Sequence, residues 1–373
     1  MERADLSRYA RQFVWLELNF DKPENRAFFI KYGAISTPTF YVINPQTGKV
    51  TASQTGAMSL AELNQFLERG ARGLNEKTES AADVALTRGD ALLAQEPVEA
   101  IASYREALDV SPRNWPHREL AEASLVAAQQ AAKQWQECAE TAATEAAQMN
   151  RNTMFGRTIV AGMWCVVSPD PAPWTKQVGA QLESLAKEAL SLPTTELDHR
   201  DELYRTLMYL CLSRDDKTCA ADWGSRWLNE LDARRPANDE ERSAIDIARV
   251  ENVQTYGDPK RILPALIDSE RAMRNSWNAS LRVAQMENTV RNYDEAIAAC
   301  DRGLSRKAGP AGRSWLLRIK ADAFRNKGEP EAAHQALSEA LKAAEAIPNP
   351  QSRESNLNII KAALEHSRDK DPD

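Results

Sequence analysis

The first cysteine of this 373-residue chain is Cys138, and no Cys-x-x-Cys occurs anywhere in it. The five cysteines, at 138, 165, 211, 219 and 300, are odd in number. Cys211 and Cys219 flank an expected turn at 213–217, where a disulfide is conceivable; the plainer expectation is small buried residues on helices. Histidine is as sparse. His117, His199, His334 and His366 stand far apart, and none lies three or four residues from another, which excludes the usual helical zinc pair. No P-loop, no Gly-rich dinucleotide turn and no Gly-x-Ser-x-Gly is present. There is no long basic run and the net charge is −7, which argues against a nucleic-acid surface. No apolar run approaches the ~18 residues of a membrane-spanning helix. No signal-peptide pattern opens the chain, so as written it is expected in the cytoplasm.

What is there is ordinary in composition, with 43% hydrophobic and 27% charged residues, and long enough for two or three domains. The first fifth reads as mixed structure. The twelve residues before Phe13 read as one amphipathic helix, with Leu6, Tyr9, Ala10 and Phe13 itself at helical spacing. Residues 13–20 are aromatic and mostly apolar, the pattern of a strand buried on both faces. Asp21, Pro23 and Glu24 open a helix that Tyr32-Gly33 closes. Residues 39–43 and 50–55 read as strands about a turn at 44–48. Ser59-x-x-Glu62 opens a second helix with Leu60, Leu63, Phe66 and Leu67 on one face, closed by Gly70 and Gly73.

This order, with Thr37-Pro38-Thr39 directly before the second strand, resembles the C-terminal half of a thioredoxin domain. The resemblance covers about residues 1–75 and rests also on Tyr32-Gly33, Gly48 and Gly56. It implies a cis bond before Pro38 and a groove in which Thr37 and Pro38 bind an extended peptide. The family's Cys-x-x-Cys and the central strand before it are missing. Two readings follow: the natural protein begins upstream of Met1, or the module is a non-redox relic. The first is favoured because no substitute strand is evident. The related architecture is frequently exported in bacteria and serves redox homeostasis, so an upstream extension would bring a periplasmic or exported setting.

From about residue 79 the strand signals stop, and alanine-rich helical periodicity runs to 367. Gly89, Leu92, Ala100, Tyr104, Ala107 and Pro112 sit close to the small and large positions of a tetratricopeptide repeat, where small residues let paired helices approach. The pattern returns at Tyr293, Ala296, Cys300 and Gly303, and at Ala321, Phe324, Gly328, Ala333, Leu337 and Ala340. The clearest repeats span about 82–113, 280–308 and 314–348; spacing over 150–280 is too irregular to assign. Residues 356–366 read as a capping helix and 368–373 as a frayed tail. The expected architecture is an α+β N-terminal part followed by a mainly-α, tetratricopeptide-like α-solenoid, helix-dominated overall.

The tryptophans on amphipathic helices read as core rather than a ligand cage. Some tetratricopeptide domains grip a partner's C-terminal carboxylate; here Asp90 and Asp322 follow Gly89 and Ala321, and a carboxylate there repels such a ligand. No catalytic, cofactor or metal residues are assigned. The expected function is a non-catalytic protein-interaction protein whose repeats bind a protein or peptide, without nucleic acid or a transmembrane segment. The alternative is a thiol–disulfide oxidoreductase whose Cys-x-x-Cys lies upstream of Met1.

Overall fold

The computed structural model describes residues 4–19, 22–32, 38–55, 58, 60–73, 80–168 and 172–368. The chain divides into two compact units, one of residues 33–273 and one of residues 1–32 with 274–373.

At the start of the chain the structure departs from the sequence pattern. Residues 4–9 form a 3₁₀ turn, not an α-helix, and it buries Leu6 and Tyr9. Residues 13–19 form no strand; Val14 is 88% and Leu16 75% exposed. A strand is held by the N–H and C=O groups of its neighbours, and among the described residues no strand pairs with this segment. A second 3₁₀ turn leads into α1 (Arg26–Tyr32).

The unit of residues 33–273 begins with an antiparallel hairpin, β1 (Thr39–Ile43) and β2 (Val50–Thr55), with Tyr41 opposite Ser53. Its turn is built by Asn44, whose Oδ1 accepts from the N–H groups of Gln46 and Thr47. Then α2 (Leu60–Arg72) folds back on the hairpin and buries Phe66 and Leu67. Gly70 permits this approach: a Cβ there would lie 2.5 Å from Val42 Cγ2. The Thr51 hydroxyl donates to the Gly70 carbonyl at 2.9 Å. The sheet of the described residues stops at these two strands.

Helices follow: α3 (Ala81–Leu92), α4 (Pro97–Val110), α5 (Arg118–Ala131), α6 (Trp135–Gln148), α7 (Thr153–Val167), α8 (Pro173–Ser191), α9 (Leu197–Ser213), α10 (Lys217–Ala233), α11 (Asp239–Thr255) and α12 (Pro259–Ala272). They pack as consecutive pairs, and the first helices of neighbouring pairs also touch, α5 on α7, α7 on α9 and α9 on α11. Helix pairing therefore continues through 150–280, where the sequence leaves repeats unassigned. Two of the turns inside pairs, one of them within that range, lack the residue that usually marks them. After α5 and α9 the chain turns through Lys133 (φ 58°) and Asp215 (φ 57°). Gln134 N–H then reaches the Gln129 carbonyl, and Asp216 N–H the Cys211 carbonyl, closing Schellman-type ends. Glycine is the usual residue there, and these pairs lack it.

The cysteines also differ from expectation. Four of the five pair, Cys138 with Cys165 and Cys211 with Cys219. The first bridge ties α6 to α7, whose Cα atoms come within 6.1 Å there. Packing of non-adjacent helix turns creates that proximity, and sequence spacing carries no trace of it. Cys300 is buried and unpaired.

In the other unit, α13 (Trp277–Thr289) pairs with α14 (Tyr293–Ser305), α15 (Pro310–Lys327) pairs with α16 (Pro330–Glu345), and α17 (Pro350–Arg368) packs on α16. The same turn recurs at Arg291 (φ 67°) and at Gly328 (φ 88°), where the sequence does show it. Leu317, Ala321, Leu337, Ala340, Ala344 and Ile360 form this core. Among the described residues, no helix is long and apolar enough to cross a membrane.

Candidate protein-docking face

The face of interest is the row of first helices α3, α5, α7 and α9. In it α5 packs on α7 and α7 on α9, while α2, packed on the hairpin, reaches the row through single side chains. Two arginines of α2 reach the α3 and α5 end of the row. Arg69 reaches Asp90 of α3 at 2.6 Å, with both side chains buried. Arg72 Nη2 lies 3.0 Å from His117 Nε2, at the start of α5. Glu62, at the other end of α2, acts electrostatically on Arg157 of α7 and on Glu196 at the N-cap of α9.

Asp90 is the anchor. It accepts from Arg69, from the Tyr104 hydroxyl at 3.0 Å and from the Ser53 N–H at 3.4 Å. That last bond covers the outer edge of β2, whose backbone would otherwise lack a partner. Tyr104 is placed by Gly89: a Cβ there would lie 2.5 Å from the Tyr104 ring. Burial pushes the Asp90 carboxyl up against the pull of the Arg69 guanidinium. Burial, then the Asp90 charge, drives the Tyr104 phenol well above its ordinary value, so it stays a donor. Burial pulls Arg157 down, and the Glu62 carboxylate opposes it. Burial and the Arg72 and Arg69 cations depress His117. His199 of α9 falls to about 4, from burial and then the Arg157 charge, and its Nδ1 is buried without a hydrogen-bond partner.

The same helices continue beyond α2. Trp164 lies two turns after Arg157 on α7, and its Nε1 donates to Glu202 of α9 at 2.9 Å. The Arg205 guanidinium lies 5.2 Å from the Trp164 ring centre and pairs with Glu202 and with Glu251 of α11. Tyr209 packs against Trp164 and is 37% exposed. Two aromatic rings and a guanidinium are the side chains that carry protein contacts most often.

Elsewhere, Tyr204, Cys219 and Trp223 line an open groove of about 980 Å³ with Lys187 and Arg226. Its cations are already matched, Lys187 by Glu183 at 2.7 Å and Arg226 by Asp222 at 2.9 Å. It offers a ligand no unmatched cation. Among the described residues no three His, Cys, Asp or Glu side chains are grouped to hold a metal ion.

Of the two residues expected to bind peptide, Thr37 lies outside the described residues, and so does the bond to Pro38. Pro38 is an exposed bend before β1. Asp90 corrects the sequence reading most. It does not face outward to repel a ligand; it is the buried seat of an arginine. The legible signal was an acid on a core-facing turn beside Gly89, which demands a partner. Asp322 pairs with Arg325 on its own helix. Trp227 is fully buried, stacked on Tyr204, and donates to Asp201 at 2.7 Å, as a core tryptophan does. Missed altogether were Arg69, Arg157 and Glu122, and His199 was weighed only as a zinc ligand. Glu122 of α5 is buried beside Glu145 and Arg118; burial, then the Glu145 charge, raises it to about 7.

No family model matches the chain, and no curated protein matches it. Among solved structures it is similar to a tetratricopeptide repeat protein from Parabacteroides merdae ATCC 43184, at 12% identity over 75% of this chain and 99% of that one, with a TM-score of 0.41. It is also similar to the APC/C hetero-tetramer Cut9–Hcn1, at 10% identity over 80% of this chain and 59% of that one, with a TM-score of 0.30. Likeness at this level assigns no family, and the helical-repeat architecture stands on the chain's own paired helices and their shared turns.

Proposed function

We propose that the chain is a protein-interaction scaffold whose row of first helices takes an amphipathic helix or peptide from a partner. The observation that carries this is the strip of Trp164, Arg205 and Tyr209 on α7 and α9, two aromatic rings beside a guanidinium with Tyr209 exposed. The finer part of the proposal is a thioredoxin-like module at 1–75; it rests on the sequence resemblance and on the order β1, β2, α2 after Pro38. The two disulfides favour an oxidising compartment.

The test is site-specific photo-cross-linking. A benzoylphenylalanine replaces Tyr209 on the face, or Val110, which is 51% exposed on α4. Partner adducts are expected at 209 and not at 110. Adducts confined to 110 overturn the reading.

A further inference from the structure

The two disulfides sit in opposite surroundings. Cys138 and Cys165 are both fully buried between α6 and α7. The Cys211–Cys219 bridge joins the end of α9 to the start of α10, and its two sulfurs are unequally covered. Cys211 is 3% exposed, whereas Cys219 is partly exposed and lines the open groove with Tyr204 and Trp223. We infer that Cys219 is a thiol–disulfide exchange site for a small thiol, at which the Cys211–Cys219 bridge opens in the folded chain well before the Cys138–Cys165 bridge.

Exchange requires a thiolate to reach one sulfur of the bridge, so access selects the bond that reacts. The groove, of about 980 Å³, brings a small thiol to Cys219 and to none of the other four cysteines. The incoming thiolate bonds to Cys219 Sγ, the Cys219–Cys211 bond breaks, and Cys211 leaves as a thiolate that takes a proton from water. A second small thiolate then attacks the first one's sulfur and releases Cys219, which is protonated in turn. The net change turns two small thiols into one disulfide and the bridge into two cysteine thiols. Cys219 is the third residue of α10, where the helix dipole favours a thiolate. Of the charges lining the groove, Asp216, Asp222 and Glu183 oppose that thiolate, and Lys187 and Arg226 favour it. Access rather than charge therefore sets the selectivity. The turn also outlasts the bridge. Asp216 N–H donates to the Cys211 carbonyl, and Asp216 Oδ1 accepts from the Cys219 N–H at 2.9 Å. These bonds keep the two Cα atoms near their separation of 5.7 Å, and opening frees a segment of 8 residues against 27 for the other bridge. The site stays folded when open.

The experiment incubates the folded, oxidised full chain with reduced glutathione, quenches samples with acid at intervals, and maps thiols and adducts by peptide mass spectrometry. The Cys211–Cys219 bridge is expected to open at least about tenfold faster than the Cys138–Cys165 bridge, with the glutathione adduct on Cys219. In denaturant, where both bridges meet solvent, the two rates should agree within about threefold. A Cys211→Ser chain leaves Cys219 as a thiol, which iodoacetamide should label under native conditions. Cys300 is the internal control: it is buried, burial pushes its thiol up to about 12, and it should stay unlabelled. Equal opening rates in the folded chain overturn the inference, as does an adduct on Cys211 in place of Cys219. So does a failure of either bridge to open, a Cys219 that resists iodoacetamide in the folded Cys211→Ser chain, or a parent chain isolated with the two cysteines already free.

Discussion

Removing Arg69 is the most direct perturbation of the site. Its side chain is 5% exposed, and the Asp90 side chain against it 2%. Arg69→Ala therefore leaves a buried carboxylate without its counter-charge. Losing one member of such a pair costs about 3–5 kcal/mol. Asp90 keeps the donors of Tyr104 and Ser53, which places the cost near the lower end, about 3 kcal/mol. An array of repeats does not melt as one unit, so the effect is read locally by amide hydrogen exchange. A loss of about 3 kcal/mol lowers protection of β2 and α2 amides ~150-fold, at 1.36 kcal/mol per decade. Amides of α15 and α16 should not change. Adding Asp90→Ala should restore part of the loss, with a coupling of about 1–3 kcal/mol. A protection loss under about fivefold (~1 kcal/mol), with additive single variants, would show that the ion pair does not hold α2 in place.

His199 sits at about 4, below its ordinary 6.5, so its contribution to stability is full above pH 6.5 and is lost as pH falls through 4. His199→Gln should flatten thermal stability across that window by up to about 3 kcal/mol; an unchanged slope counts against the burial argument. Glu122 runs the other way. Raised to about 7, it favours folding below pH 4.5 and loses that contribution as pH rises through 7. Glu122→Gln should therefore stabilise the chain at pH 8 by about 1–3 kcal/mol and change little at pH 4, read from denaturant midpoints at the two pH values. Finally, the Cys138–Cys165 bridge spans 27 residues, and loop-closure entropy gives it about 3.5 kcal/mol. Thiol titration of the denatured, unreduced chain should find Cys300 alone and five thiols after reduction, with a lower melting temperature; five thiols before reduction would refute the pairing.

Much of the fold was legible from local signals. The hairpin is marked by Asn44 and Gly48, α2 by its apolar stripe, and the outer repeats by Gly89, Tyr104, Ala321 and Gly328. The α5–α6 and α9–α10 pairs were hard to read because Lys133 and Asp215 take the left-handed turn that glycine usually advertises. The strand at residues 13–20 was misread for a related reason. Apolar composition describes what a segment can do when covered, and the described residues supply it no partner strand. Of the candidate site, the sequence offered Asp90 but gave it the wrong role. Its partner Arg69 lies on another element, 21 residues away.

The order of residues alone determined the helical periodicity, the hairpin and the charge order of α2, because each depends on neighbours within a turn or two. Tertiary structure decided where those pieces meet. The bridge between α6 and α7, the arginine over Asp90 and the row of first helices all arise from contacts between elements. Each such contact depends on packing distance and burial, quantities that no single stretch of chain contains.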